Sequence, residues 1–257
     1  MAWNTFRYPE SAYLHTPASL EQAWARLHAG DAEPFPVHAA LVQAWIAFHA
    51  GDFEKATRLG LAAGVKGYSV AHKATCVYAS CLETSDKARI ATFEEVAERC
   101  ERQQAEQPDN PAGFYWHAYS LGRYAQGISV VKALAQGIDI KVRNSLDTAL
   151  ALAPYHADAH IAFGAYHAEI IDKVGALIGG LTYGVKKEQG LQHFKTALKL
   201  NPDTALGRIA YAKALLMLDG KKKMAEALAL YQEAAACVAV DAMERLDVEA
   251  AIEELKE

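Results

Sequence analysis

The sequence predicts an all-α protein, an α-solenoid of stacked helical hairpins, and three observations predict it. First, Pro108, Pro154 and Pro202 each close one helical run and open another, 46 and 48 residues apart. Each follows an amphipathic run (93–105, 142–152 and 187–200) and precedes a new one within a few residues. Self-similarity at a fixed period marks stacked units, none of which buries its apolar face alone. Second, an echo near the start pairs 22–31 with 43–52: both carry Gln-Ala-Trp at the front, His-Ala-Gly-Asp at the end. Third, the composition is 52% hydrophobic, with abundant alanine and only 8 prolines, which suits helices packed through small side chains. The β-branched runs are short and bounded by glycine, so no strand pattern competes.

The elements follow in order. Residues 1–15 form an arm in which Trp3, Phe6, Tyr8 and Tyr13 stand among polar groups. The arm lacks the basic start and apolar centre of a signal peptide, and is expected to drape over one end or reach a second subunit. Thr16 and Pro17 start the first helix, and Pro36 the second. Gly30-Asp31 and Gly51-Asp52 stop them, the glycine in the left-handed conformation and the aspartate capping the next helix. Trp24 and Trp45 then occupy equivalent core positions. Helices are predicted over 53–64, 69–83 and 87–105, the last capped by Ser85 or Asp86. Asn110 caps a helix through Tyr124 with Pro111 in its first turn. Further helices cover 154–173, 202–218, 224–239 and 241–255, and Asp219-Gly220 stops the second of these. The whole chain, 1–257, reads as one solenoid: arm 1–15, hairpins 16–64, repeats 65–240, and an acidic capping helix 241–257.

Register sharpens the fold. Counted from the prolines, the following helices place Ala118, Gly164 and Ala212 at one offset, where close helix contact needs a small side chain. Gly190, Phe194 and Ala197 repeat a small–large–small spacing, and Gly51-Asp52-Phe53-x-x-Ala56 has the form of a turn into such a helix. Together these resemble tetratricopeptide repeats, whose period is about 34. The excess of 12 to 14 residues over that period is an insertion between the two helices of each hairpin, at 127–140 and 175–185. The strings at 137–145, 149–154 and 194–202 resemble the regulator-of-microtubule-dynamics proteins. Tyr115-Trp116-x-Ala118-x-x-Leu121-Gly122-Arg123 is similar to the T-component lipoprotein of TRAP transporters. The resemblance covers about residues 90–235 and implies binding rather than chemistry. It also implies, for the transporter component, association with a solute-binding protein and a pore-like cavity. No cysteine here precedes Cys76 to carry a lipid, and no membrane segment or coiled coil is read ahead of the repeats.

Charge and composition narrow the function classes. A net charge of −5 gives no basic excess to release counterions, so nucleic acid is not an expected partner. The basic run 221–223 falls in a turn. Cys76, Cys81, Cys100 and Cys237 form no C-x-x-C pair and read as buried small side chains in a reducing compartment. No uninterrupted apolar stretch reaches the roughly 18 residues a transmembrane helix needs. The expected location is the cytoplasm, or the periplasm if a leader was removed. There is no Gly-x-Ser-x-Gly elbow and no cysteine in an activating context, so no catalytic residue and no cofactor are assigned.

Three groups of residues are candidates for function. The first helices of successive hairpins carry Tyr115, Tyr119 and Arg123, then Asp158 and Ile161, then Ile209, Lys213 and Leu216. Spacings of three and four put each set on one helical stripe. The stripes form a mostly apolar groove for a protein or peptide segment, unless the insertions or terminal helices cover them. His156, His160 and His167 project to one side of a helix, as metal ligands or as core histidines. The run 174–185 has four glycines and no charge, and reads as an irregular plug or as a self-association or partner surface. Its companion insertion reads as a short helix. The expected function is a non-enzymatic scaffold or adaptor that binds a protein segment on its concave face. The alternative is a carrier of an elongated apolar molecule in a cavity between repeats, and a homo-oligomer is compatible with either.

Overall fold

The computed structural model describes residues 3–256, with the side chains of all of them but Val130, Val131 and Leu134. Among the described residues every regular element is helical and no strand occurs. Helix starts coincide with capping chemistry. Thr16 and Ser19 exchange side-chain and backbone bonds to cap α1 (Pro17–Leu27). After α2 (Ala39–His49), Asp52 caps α3 (Phe53–Ala62), which is followed by α4 (Tyr68–Cys81). Ser85 caps α5 (Asp86–Glu106), and Asn110 caps α6 (Pro111–Gln126), with Pro111 in its first turn. A short α7 (Val130–Ala135) precedes α8 (Ile138–Leu152). The imidazole of His156 caps α9 (Ala157–Val174), accepting from the Ala159 amide. A three-residue α10 (Ala176–Ile178) runs into a π-turn (Gly179–Tyr183), then α11 (Lys187–Leu200). Thr204 caps α12 (Ala205–Asp219), and α13 (Met224–Ala235) and α14 (Ala242–Glu254) complete the chain.

The chain divides into two compact units. Unit 1 comprises Met1–His28, Glu33–Pro154 and Val240–Met243. Within it α2, α3, α4, α5 and α6 pack each on the next, and α8 packs on α6 across the α7 insertion. Trp24 and Trp45 meet edge to face at 5.6 Å, as do Phe48 and Phe53 at 5.5 Å. The arm lies on this same unit: Trp3 stacks on Tyr78 at 3.9 Å, Asn4 donates to the Leu82 carbonyl, and Tyr13 is buried. A fully buried polar tie closes the unit, His49 Nδ1 lying 2.7 Å from Asp241 Oδ2.

Unit 2 comprises Ala29–Ala32, Tyr155–Ala239 and Glu244–Glu257. Here α9 packs on α11 and α12, and α12 packs on α13. One apolar cluster runs through these helices and includes Phe194, Ala212, Leu215, Leu230 and Val248. The small residues of the common offset sit at the tightest contacts: Ala118 and Ala212 are buried, and a Cβ on Gly164 would lie 2.7 Å from the Phe194 ring.

Three expectations change. Gly51 takes the left-handed conformation at φ 88°, but at the first echo the left-handed residue is Ala32, not Gly30. Asp31 does not cap a helix: α2 begins at Ala39, beyond Pro36, with His38 at its cap position. The run 174–185 does not plug the interior. Gly179 and Val185 are buried, whereas Leu177, Ile178 and Leu181 are 76%, 55% and 82% exposed.

Candidate functional site

On α6 of unit 1, residues four apart share a stripe, and the structure gives its members different exposures. Tyr115 is buried, with its ring 4.7 Å from Trp116 and 6.2 Å from Tyr119. Tyr119 is half-buried, its hydroxyl joined to Ser80 Oγ of α4 at 2.8 Å and its ring 6.4 Å from Phe93. Burial raises the Tyr119 pKa above the usual phenol value. One turn on, the Arg123 guanidinium lies over the Tyr119 ring at 5.3 Å, and its Nη1 donates to Gln126. The accessible part of this stripe is therefore an aromatic ring, a cation and a serine. Ser80 escapes a sequence reading because it comes from the preceding hairpin.

In unit 2 the predicted stripe is largely covered. Asp158 is buried; its amide donates to the Gly30 carbonyl at 2.9 Å, and its carboxylate stands where a Gly30 Cβ would be, 2.6 Å away. Ile161 and Ile209 belong to the apolar cluster, and Leu216 packs against it. Lys213 is exposed but ion-paired, its Nζ 2.6 Å from Glu254 of α14. Val248 and Ala251 of that helix bury into the same cluster as Ile161 and Ile209. The last helix thus lies over the stripe that α9 and α12 present.

The histidines are spent on structure. His160 of α9 and His193 of α11 share a hydrogen bond, Nδ1 to Nδ1 at 2.8 Å. His167 Nδ1 accepts from the Lys186 amide at 2.9 Å. His193 is lowered to a pKa of about 4, first by burial and then by His160 and His167. Among the described residues no group of three His, Cys, Asp or Glu side chains is arranged to hold a metal ion.

One constellation was not legible from sequence spacing. Ser145 Oγ of α8 lies 2.7 Å from His117 Nδ1 of α6, and His117 Nε2 lies 3.5 Å from Glu101 of α5. These are the residue types of a hydrolytic triad. Yet Ser145 is buried in mid-helix, where neighbouring amides are already bonded within α8, so no N–H pair is left to hold an oxyanion. The arrangement ties three helices together. Cys76, pushed up to about 12 by burial, and Cys100, raised for the same reason, are poor nucleophiles.

No protein-family profile matches the chain, and no curated protein does. Among solved structures, the thermophilic TPR protein TTC0263 of Thermus thermophilus is similar over 83% of this chain and 97% of its own. The TM-score is 0.58 and the identity 17%. MamA (MSR-1, C2) aligns over 90% of this chain and 99% of its own, at TM-score 0.41 and 16% identity. The first likeness establishes a tetratricopeptide-type fold of helical hairpins. Among the described residues no helix is long and apolar enough to cross a membrane.

Proposed function

We propose that the chain is a non-enzymatic, tetratricopeptide-like adaptor that captures a protein or peptide segment on the first helices of its hairpins. One observation carries this reading: on α6 the Tyr119 ring and the Arg123 guanidinium stay partly accessible, side by side, on a stripe otherwise committed to the core. Stacked hairpins use such stripes as extended binding surfaces. Aromatic and arginine side chains make strong anchors because they offer large contact area and several donors. Tyr115 beneath would hold the ring of Tyr119 in place. The unit 2 members, Asp158, Ile161, Ile209, Lys213 and Leu216, are taken up by the core or by α14 and are not part of this surface. The carrier alternative is the less favoured reading, because Leu177 and Leu181 of the glycine-rich insertion are exposed.

Affinity capture with the full chain as bait is the test. Arg123→Glu and Tyr119→Ala are expected to weaken capture of the specific partner on the order of tenfold or more. Arg123→Glu should leave the circular-dichroism melt unchanged, which separates lost binding from lost folding. The same partner retained at wild-type level by both variants would overturn the assignment.

A further inference from the structure

We propose that the α9–α11 insertion of unit 2 is a docking tip for an anionic lipid surface. It presents three aliphatic side chains within five residues, Leu177, Ile178 and Leu181, each more than half exposed. Such a group of large apolar side chains on a tight turn marks a contact surface rather than ordinary surface scatter.

The tip is built, not loose. Its base is fixed by Gly179, where an added Cβ would meet Val185 at 2.9 Å and Ile170 at 3.6 Å. Val185 itself is buried. Backbone polar groups close on one another: the amides of Gly179, Gly184 and Val185 donate to the carbonyls of Gly175, Gly180 and Gly179 at 2.9, 3.2 and 3.3 Å. These three amides would not be stranded if the turn entered an apolar interface.

Lysines flank the tip. The start of α11 and the end of α12 meet, which brings the α9–α11 and α12–α13 connections together. Lys187 Nζ bonds Asp219 Oδ1 at 2.5 Å and fixes the Gly220–Lys223 turn beside the insertion. Three lysines at this end are neutralised, Lys173 by Glu169, Lys187 by Asp219 and Lys223 by Glu226. Lys186, Lys221 and Lys222 remain exposed, against Asp172 and Glu188. Their long stems can lie along an interface while the ammonium groups meet anionic headgroups. In a chain of net charge −5, the local excess of cations beside exposed aliphatics is what favours lipid.

A second copy of the chain fits less well. Stable protein contacts bury about 800 Å² on each partner with matched shapes, more than a turn of eight residues offers. Insertion into a headgroup region needs no matched shape, and it combines apolar burial with attraction to anionic lipid.

Co-sedimentation of the full chain with vesicles tests this. The chain should sediment with vesicles of phosphatidylcholine and phosphatidylglycerol, much less with phosphatidylcholine alone, and less again as salt rises. Leu181→Asp, at an exposed position that the fold does not need, should lower partitioning about tenfold or more. The pair Lys221→Glu and Lys222→Glu should lower it severalfold, with circular dichroism unchanged. No sedimentation with the anionic vesicles, or equal sedimentation of wild type and Leu181→Asp, overturns the proposal. So does a Leu181-dependent dimer in analytical ultracentrifugation without vesicle binding, which would assign the tip to a second copy.

Discussion

Gly164 and Gly190 set how closely α9 and α11 approach. A Cβ on Gly164 would lie 2.7 Å from the Phe194 ring, and one on Gly190 would lie 2.8 Å from the Cβ of His167. Both neighbours are buried, so neither can give way at small cost. Gly164→Val is expected to lower stability by about 2–3 kcal/mol through overpacking, read as a fall in the urea midpoint. Gly122→Ala, where an added Cβ meets nothing within 4 Å, should be neutral or stabilise by about 0.5–1 kcal/mol. A Gly164→Val protein that unfolds with the wild-type midpoint would show that this glycine does not govern the spacing. The need for a small residue here was legible in the sequence, since Ala118, Gly164 and Ala212 share one offset from the prolines. The two Gly-Asp pairs were legible only by half. Gly51-Asp52 turns directly into α3, whereas the chain after Gly30 travels on to Ala39, and the space over Gly30 is taken by Asp158.

Between α9 and α11 the paired imidazoles add a pH dependence to unit 2. His193 is lowered from 6.5 to about 4, because burial disfavours its charge and His160 and His167 stand beside it. In the unfolded chain it takes up a proton below about 6.5, in the folded one only below about 4. The unfolded state therefore binds more protons between these values, and stability, full above 6.5, falls as the pH drops towards 4. Allowing for partial exposure, the loss is on the order of 1–2 kcal/mol. Urea midpoints of wild type and His193→Gln at neutral and mildly acid pH measure it; the variant should lose less, and identical losses would reject the assignment. The caps of α1, α3, α5 and α6 were legible at this scale, because Thr16, Asp52, Ser85 and Asn110 advertise them locally, whereas the start of α2 at Ala39 and the His156 cap of α9 were not. Nor was the conformation of the 174–185 run. Its apolar composition called for cover, yet the buried pair Gly179 and Val185 fastens it at the base and leaves its leucines outside.

Over the length of the chain, its closing segment decides what is open and what is shut. Val248 and Ala251 of α14 are buried, and Glu254 reaches Lys213. A chain ended after Met243 should lose about 3 kcal/mol or more, measured by urea unfolding, because Val248 and Ala251 leave the cluster that holds Ile209 and Leu215. Undiminished stability would mean that α14 is not part of that core. The helical stripe on α12 was legible from spacing, but its covering was not, since that depends on a contact 41 residues away between Lys213 and Glu254. The buried bond between His49 and Asp241 spans 192 positions, and both partners belong to unit 1. On the ribosome, His49 emerges 192 residues ahead of its carboxylate. A nascent chain stalled short of Asp241 carries an unfinished polar site in the portion synthesised first, and quality-control proteases would meet that defect in the N-terminal half.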